Sequence, residues 1–276
     1  MREPLSFHRV MRGTGAGPTL VWLHGFMGSE RDFRTLTLDH MEMFTHLFLD
    51  LPGHGRTPLP IETGEAGYLQ VIDSLATELR DRAKSPRILI GYSQGGRLAL
   101  SLACAYPRLL DGLVLISTSP GLDDEGERKK RSRADALLAK RLRTEDRAEF
   151  LDKWYSQSLF ATLKQNALVL QQLLVSRETF DMQAAADSLE ITGTSAMPSC
   201  WNQLDRLDIP TLYIAGEQDR NYVKIGKQMK KKCPDMSLEI VKDSSHALHL
   251  EKPLVFMERI EAFLDEHFKE STDEAV

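Results

Sequence analysis

The sequence lacks the features that would send a chain into a bilayer, into a disulfide scaffold or onto nucleic acid. No apolar stretch approaches the roughly 20 residues of a membrane helix, so membrane insertion is not expected. Met1-Arg2-Glu3-Pro4-Leu5-Ser6-Phe7-His8 holds no apolar signal core. Cysteine is scarce, with only Cys104, Cys200 and Cys233 among 276 residues. An odd number spread this widely describes neither a disulfide framework nor a metal-ligand cluster, so a reducing, cytoplasmic setting and no bound metal are expected. Basic excess is missing too: the net charge is −5 and the pI about 5.9. A nucleic-acid partner is therefore not expected, because neutralising phosphates calls for a positive balance. Internal repeats and low-complexity segments are absent, and composition leaves the oligomeric state open.

What is present is enough chain for a full core and a regular alternation of apolar runs with helical patterns. Thr19–Leu23 and Thr45–Leu49 are short apolar strands, each ending at a glycine-containing turn, His24-Gly25 and Asp50-Leu51-Pro52-Gly53-His54-Gly55. Further strands are expected at 87–90, 113–116, 210–215 and Ser237–Val241, with helices over 30–43, 67–82, the residues after Gly96, and 254–268. Strands alternating with helices imply an α/β fold, a mostly parallel sheet covered on both faces. The interval 120–200 differs: it lacks a convincing strand and carries helical patterns at 134–142, 148–155 and 167–174. It reads as a helical cap inserted into one domain made of 1–119 and 201–276. The run Glu127-Arg128-Lys129-Lys130-Arg131-Ser132-Arg133 reads as a mostly solvated helix face with one member turned inward. The tail 271–276 is expected to fray.

Gly91-Tyr92-Ser93-Gln94-Gly95-Gly96 carries the most chemistry, since it follows Ile88-Leu89-Ile90 and precedes Arg97-Leu98-Ala99-Leu100. G-x-S-x-G between strand and helix is a nucleophile elbow, whose glycines allow the tight turn that lifts the serine hydroxyl above the sheet. A serine hydroxyl needs an imidazole to hold its proton and a carboxylate to orient that imidazole. In α/β-hydrolases these follow in the order Ser, Asp or Glu, His, on loops at strand ends. Asp219, in Gly216-Glu217-Gln218-Asp219, and His246, in Ser244-Ser245-His246, fit that order, with Glu217 and His249 as their rivals. The backbone N–H groups of Phe26 and Gln94 are placed to form an oxyanion hole, and His24 reads as a loop-bonding, structural histidine.

Several segments together resemble the 2-succinyl-6-hydroxy-2,4-cyclohexadiene-1-carboxylate synthases of menaquinone biosynthesis, a family with the α/β-hydrolase fold. They are Leu23-His24-Gly25-Phe26-Met27-Gly28-Ser29, Asp50 to Gly55, Gly91 to Arg97, Ser119-Pro120-Gly121-Leu122, Trp154-Tyr155 and Gly216 to Asp219. The resemblance spans nearly the whole chain, and its most specific part is Arg97 directly after Gly96, with the Ser119 segment leading into the basic run. It implies a cofactor-free lyase that takes a ring proton from a succinyl-bearing cyclohexene and releases pyruvate from its enolpyruvyl ether. Ser93, held by His246 and Asp219, would be the general base, and the Phe26 and Gln94 N–H groups would stabilise an enolate-like oxygen.

A small-molecule substrate with several carboxylates also calls for planar bidentate donors near the serine, which gives the arginines a chemical reason of their own. The resemblance assigns Arg97 to substrate and matches Arg131 to the family's cap arginine, with Arg128 one turn earlier as the alternative. Arg177 is a second cap candidate, Trp154 an apolar wall, and Tyr92 packs beside the serine or donates to substrate. Two places depart from the family pattern: Ser245 stands where glycine is usual, and Arg220-Asn221-Tyr222 replaces a lysine-aromatic pair. The same triad would also serve ester or carbon–carbon bond hydrolysis through covalent Ser93, so the triad alone does not separate these chemistries.

Overall fold

Seven apolar or edge segments pair into one sheet in the computed structural model, which describes residues 4–13, 17–37, 41, 43–60, 62–233 and 235–268. The strands are β1 (Arg9–Arg12), β2 (Thr19–Leu23), β3 (Thr45–Leu49), β4 (Arg87–Tyr92), β5 (Gly112–Ile116), β6 (Thr211–Gly216) and β7 (Ser237–Val241). Their order is β1-β3-β2-β4-β5-β6-β7. Only β1 runs antiparallel, to β3; the other pairings are parallel.

Every residue of β2, β5 and β6 is buried, as expected when helices cover both faces of a parallel sheet. Alternation along the strands sorts their side chains into two cores. Val21, Leu23, Leu89, Leu113, Leu115 and Tyr213 face one side, and Leu20, Trp22, Ile88, Ile90, Val114 and Ile214 the other. The first core is closed by α2 (Gly64–Arg82), α3 (Gln94–Ala105) and α8 (Arg220–Lys232). The second is closed by α1 (Arg31–Arg34) and α10 (Pro253–Phe268), whose Phe256, Met257, Ile260, Phe263 and Leu264 form one apolar stripe.

Between β5 and β6 the chain forms α4 (Glu125–Thr144), α5 (Arg147–Tyr155), α6 (Ala167–Ser176) and α7 (Met182–Thr192). α9 (Leu248–Glu251) follows β7. A third core, including Leu142, Phe150, Phe160, Leu173 and Leu189, joins the inserted helices to Met27 and Ala247 of the strand-end loops. α4 absorbs the basic run; within α4 only Asp135, Ala139 and Leu142 are buried.

Several local expectations change, and α8, like α7, was not expected from the sequence. The helix over 30–43 is a single turn, because Leu36 N–H bonds back to the Phe33 carbonyl in an i→i+3 closure that tightens the end; 38–40 and 42 lie outside the described residues. β1 gave no apolar run, since an edge strand of Arg9-Val10-Met11-Arg12 has little to bury. α7 was missed, and its small residues Ala185, Ala186 and Ser188 are what let it pack along α4 and α2. The tail 271–276 lies outside the described residues.

Candidate active site

The order of the sheet brings the serine loop and the oxyanion loop together. After β2 the chain passes to β3 on one side, and β4 returns to the other side of β2, so the loops after β2 and β4 meet where the strand order reverses. Leu23 stands opposite Gly91 across that pair. Ser93 then takes φ 50° and ψ −104°, a strained conformation for a residue with a side chain. The neighbouring glycines permit it. A Cβ on Gly91 would sit 2.5 Å from the Gly95 carbonyl oxygen, and one on Gly95 would sit 2.3 Å from the Leu23 carbonyl oxygen. Ser93 N–H donates to Ile116 O at 2.8 Å, and Thr118 Oγ1 donates to Ser93 O at 2.8 Å, fixing the turn from β5.

Three residues from three strand ends form one hydrogen-bond chain. His246 Nε2 lies 3.0 Å from Ser93 Oγ, and His246 Nδ1 lies 2.6 Å from Asp219 Oδ2. The carboxylate fixes the tautomer by accepting a hydrogen bond from Nδ1–H, leaving Nε2 free to receive the serine's proton. Glu217 is exposed, while its neighbour Asp219 is buried against the imidazole. His249 packs among Phe33, Tyr92 and Phe256 with its Nδ1 unpartnered among the described residues, and burial pushes its pKa down to about 3. Ser245, where the family usually has glycine, has a use: its N–H and Oγ donate to Glu251 at 2.7 and 2.5 Å. Thr162 of the insertion donates to the same carboxylate, and His246 N–H bonds to Leu159 O at 3.2 Å.

Two buried histidines hold the loop after β2. His24 Nε2 accepts from Leu51 N–H at 2.9 Å and its Nδ1 lies 2.7 Å from Gly25 O; His54 Nε2 accepts from Met27 N–H at 3.0 Å. That leaves Phe26 N–H and Gln94 N–H without an acceptor among the described residues, beside Ser93. The Gln94 side chain is used elsewhere, donating to Thr192 Oγ1 at 2.5 Å and so seating α7 over the elbow.

A cavity of about 510 Å³ opens between the strand ends and the inserted helices, and it is lined by Ser93, His246, Phe26, Tyr92, Gln94 and all the candidate substrate residues. Arg97 is 7% exposed, and among the described residues no carboxylate pairs with it. Among the described residues its Nε is unpartnered and its guanidinium makes one bond, to Thr192 O at 3.5 Å. Burial lowers the Arg97 pKa from its ordinary value; the Tyr222 phenol works against that and Arg131 adds to it.

Arg177, 5% exposed, is the opposite case: its two terminal nitrogens hold Asp32 at 2.8 and 2.6 Å. Burial works against its charge, but Asp32 and Tyr155 outweigh it and raise the Arg177 pKa. Arg131 is half-exposed and bonded to Asp135 at 2.8 Å. Arg128, the alternative to Arg131, instead holds the carbonyls of Leu122, Ser195 and Met197 at 2.7 to 3.3 Å, a tie between the two ends of the insertion. Trp154 packs edge-on to Phe26 at 5.6 Å, and Tyr92 packs on His249 at 4.3 Å and His246 at 5.3 Å.

Sequence reasoning did not place Tyr222, Tyr155 or Leu138 in this cavity. Tyr222 had a usable signal, since it lies three residues after Asp219 in the first turn of α8. Tyr155 and Leu138 depend on how helices of the insertion dock, which spacing does not encode. Among the described residues no cluster of three or more His, Cys, Asp or Glu could hold a metal, and no helix is long and apolar enough to cross a membrane.

Known proteins resemble the chain in sequence and in fold. A family model described as alpha/beta hydrolase fold matches residues 18–253. A Bacillus subtilis (strain 168) protein, provisionally named 2-succinyl-6-hydroxy-2,4-cyclohexadiene-1-carboxylate synthase, is 34% identical over 255 residues, covering 91% of this chain and 92% of its own. The protein of that name from Salmonella agona (strain SL483) is 32% identical over 244 residues, 88% and 92% of the two chains. The structure of MenH from S. aureus superposes with a TM-score of 0.87 at 27% identity, covering 95% of this chain and 98% of that one.

Proposed function

The chain belongs to the α/β-hydrolase family and, within it, to the 2-succinyl-6-hydroxy-2,4-cyclohexadiene-1-carboxylate synthases, and from that premise we propose how its cavity eliminates pyruvate. The substrate is 2-succinyl-5-enolpyruvyl-6-hydroxy-3-cyclohexene-1-carboxylate, and the reaction is a carbon–oxygen lyase step. His246, oriented by Asp219, takes the Ser93 proton, and Ser93 Oγ removes the ring proton next to the succinyl carbonyl. The electron pair moves onto the carbonyl oxygen, which the Phe26 and Gln94 N–H groups receive. It then returns to the ring, the bond to the enolpyruvyl oxygen breaks, and the proton stored on His246 balances the departing enolate, which ketonises to pyruvate. A positioned base contributes about 10²- to 10⁴-fold and each oxyanion donor about 10²- to 10³-fold.

In this reading Arg97 receives a substrate carboxylate, Arg131 and Arg177 line the cap side, Trp154 gives an apolar wall, and Tyr92 buttresses the imidazole. Residues 120–200 act as a cap on a core of 1–119 and 201–276. The partner is a small molecule with several carboxylates, without cofactor, nucleic acid or membrane, in the cytoplasm. One observation carries the reading: a Ser-His-Asp chain shares a cavity with a buried guanidinium that has no carboxylate opposite it among the described residues. A buried cation of that kind is costly unless an anion completes it, and a hydrolase of neutral esters has no need of one. Incubation with the substrate is expected to release pyruvate. An acyl-enzyme burst with an activated ester and no pyruvate from the substrate would overturn the lyase reading.

A further inference from the structure

Resting on the lyase reading, we propose that the Tyr222 hydroxyl is a second donor at the Arg97 anion subsite and selects for a carboxylate there over a neutral group. Tyr222 lines the cavity with Ser93, Arg97 and His246. Its ring is tilted on the imidazole of His246 at 4.8 Å, which any aromatic side chain could do. The hydroxyl is the part that stacking does not explain. The Tyr222 backbone is held, since the Tyr213 hydroxyl lies 3.1 Å from its carbonyl oxygen, but among the described residues its own hydroxyl has no protein partner. A phenol facing a cavity with an unused O–H is a donor awaiting an acceptor.

Its neighbours identify that acceptor. Both side chains line the same cavity, and of the groups around Arg97 that favour the guanidinium's charge the Tyr222 phenol acts most strongly. Burial raises the Tyr222 pKa although Arg97 and Arg131 work against it, so the hydroxyl keeps its proton and remains a donor. A carboxylate offers about four lone-pair sites, more than one guanidinium edge fills. Arg97 takes one side of the group in its planar fork, and the phenol donates a charge-assisted bond to a remaining oxygen. An ester or amide in the same place offers a weaker acceptor without the charge.

The test measures pyruvate release by wild type and Tyr222→Phe, together with binding of benzoylpropionate, a carboxylate on a keto arm, and of its methyl ester. Tyr222→Phe keeps the ring on His246. KM is expected to rise about tenfold with a smaller fall in kcat, and benzoylpropionate to bind about tenfold more weakly while the methyl ester is unaffected. In an Arg97→Met background the Tyr222→Phe effect should shrink, because the two donors share one ligand group. Unchanged KM and binding, or equal losses for acid and ester, would show a merely structural tyrosine. Should wild type release no pyruvate while the acid-over-ester difference persists, the lyase reading falls and the Tyr222 assignment stands.

Discussion

Arg97, in α3, and Arg177, at the end of α6, line the same cavity and are almost equally buried, at 7% and 5% exposure, yet they are in different electrostatic states. Arg177 commits its fork to Asp32 of α1, bridging insertion and core. Arg97 rises from the elbow helix with only a weak carbonyl contact. Burial and residue type alone therefore do not mark a binding arginine. The missing counter-charge does, because a desolvated cation left without one is a standing cost that an incoming anion removes.

The contrast between the walls can be pushed hardest at the serine. Ser93→Ala is expected to lower kcat about 10⁴-fold while barely moving the unfolding free energy, as measured by pyruvate release and urea unfolding. Loss of folding with loss of turnover would merge the two walls into one structural unit. Next comes Arg177→Met, which strands the Asp32 carboxylate in the interior and should cost about 3 to 5 kcal/mol in urea unfolding. Arg97→Met separates the pair: kcat/KM should fall about 10- to 100-fold, with stability unchanged or raised, since no buried partner is abandoned. Equal destabilisation by both substitutions would erase the distinction drawn here.

The effect that is smallest near neutral pH, and grows only on acidification, tests the core wall. His249 has its pKa depressed from 6.5 to about 3 by burial, so between those values the unfolded chain binds a proton that the folded protein refuses. Stability is then full above pH 6.5 and falls below it, by about 1.4 kcal/mol per pH unit for this one residue. His54, also lowered to about 3, adds a similar share. His249→Phe should flatten the acid limb by one histidine's worth in unfolding curves; an unaltered slope would mean the imidazole is solvated.

The same division explains what was legible in the sequence. Ser93, Asp219 and His246 each follow a strand, and in a parallel sheet the ends of neighbouring strands must converge, so order along the chain was enough to find them. The family resemblance carried the arginines further than spacing could. Arg131 was placed by its distance from Pro120-Gly121-Leu122, and its Asp135 partner was visible as an i,i+4 pair that went unread. The Arg177 partner lies 145 residues away and follows only from docking of the inserted helices. β1 and α7 were missed for a related reason: a polar edge strand and an alanine-rich helix acquire their meaning from what they touch.

Arg97 N–H bonds to Ser93 O at 3.0 Å, so the proposed base and the proposed anion anchor stand one turn apart at the start of a single helix. The span between them is set by the four residues from the N-cap into α3, about 6 Å along its axis, plus the reach of a guanidinium. That interval belongs to the elbow helix and not to the inserted helices. In the proposed reaction that interval would act as a gauge, matching the distance from a substrate carboxylate to the hydrogen to be removed, so that a molecule of the wrong length could not satisfy Arg97 and Ser93 together.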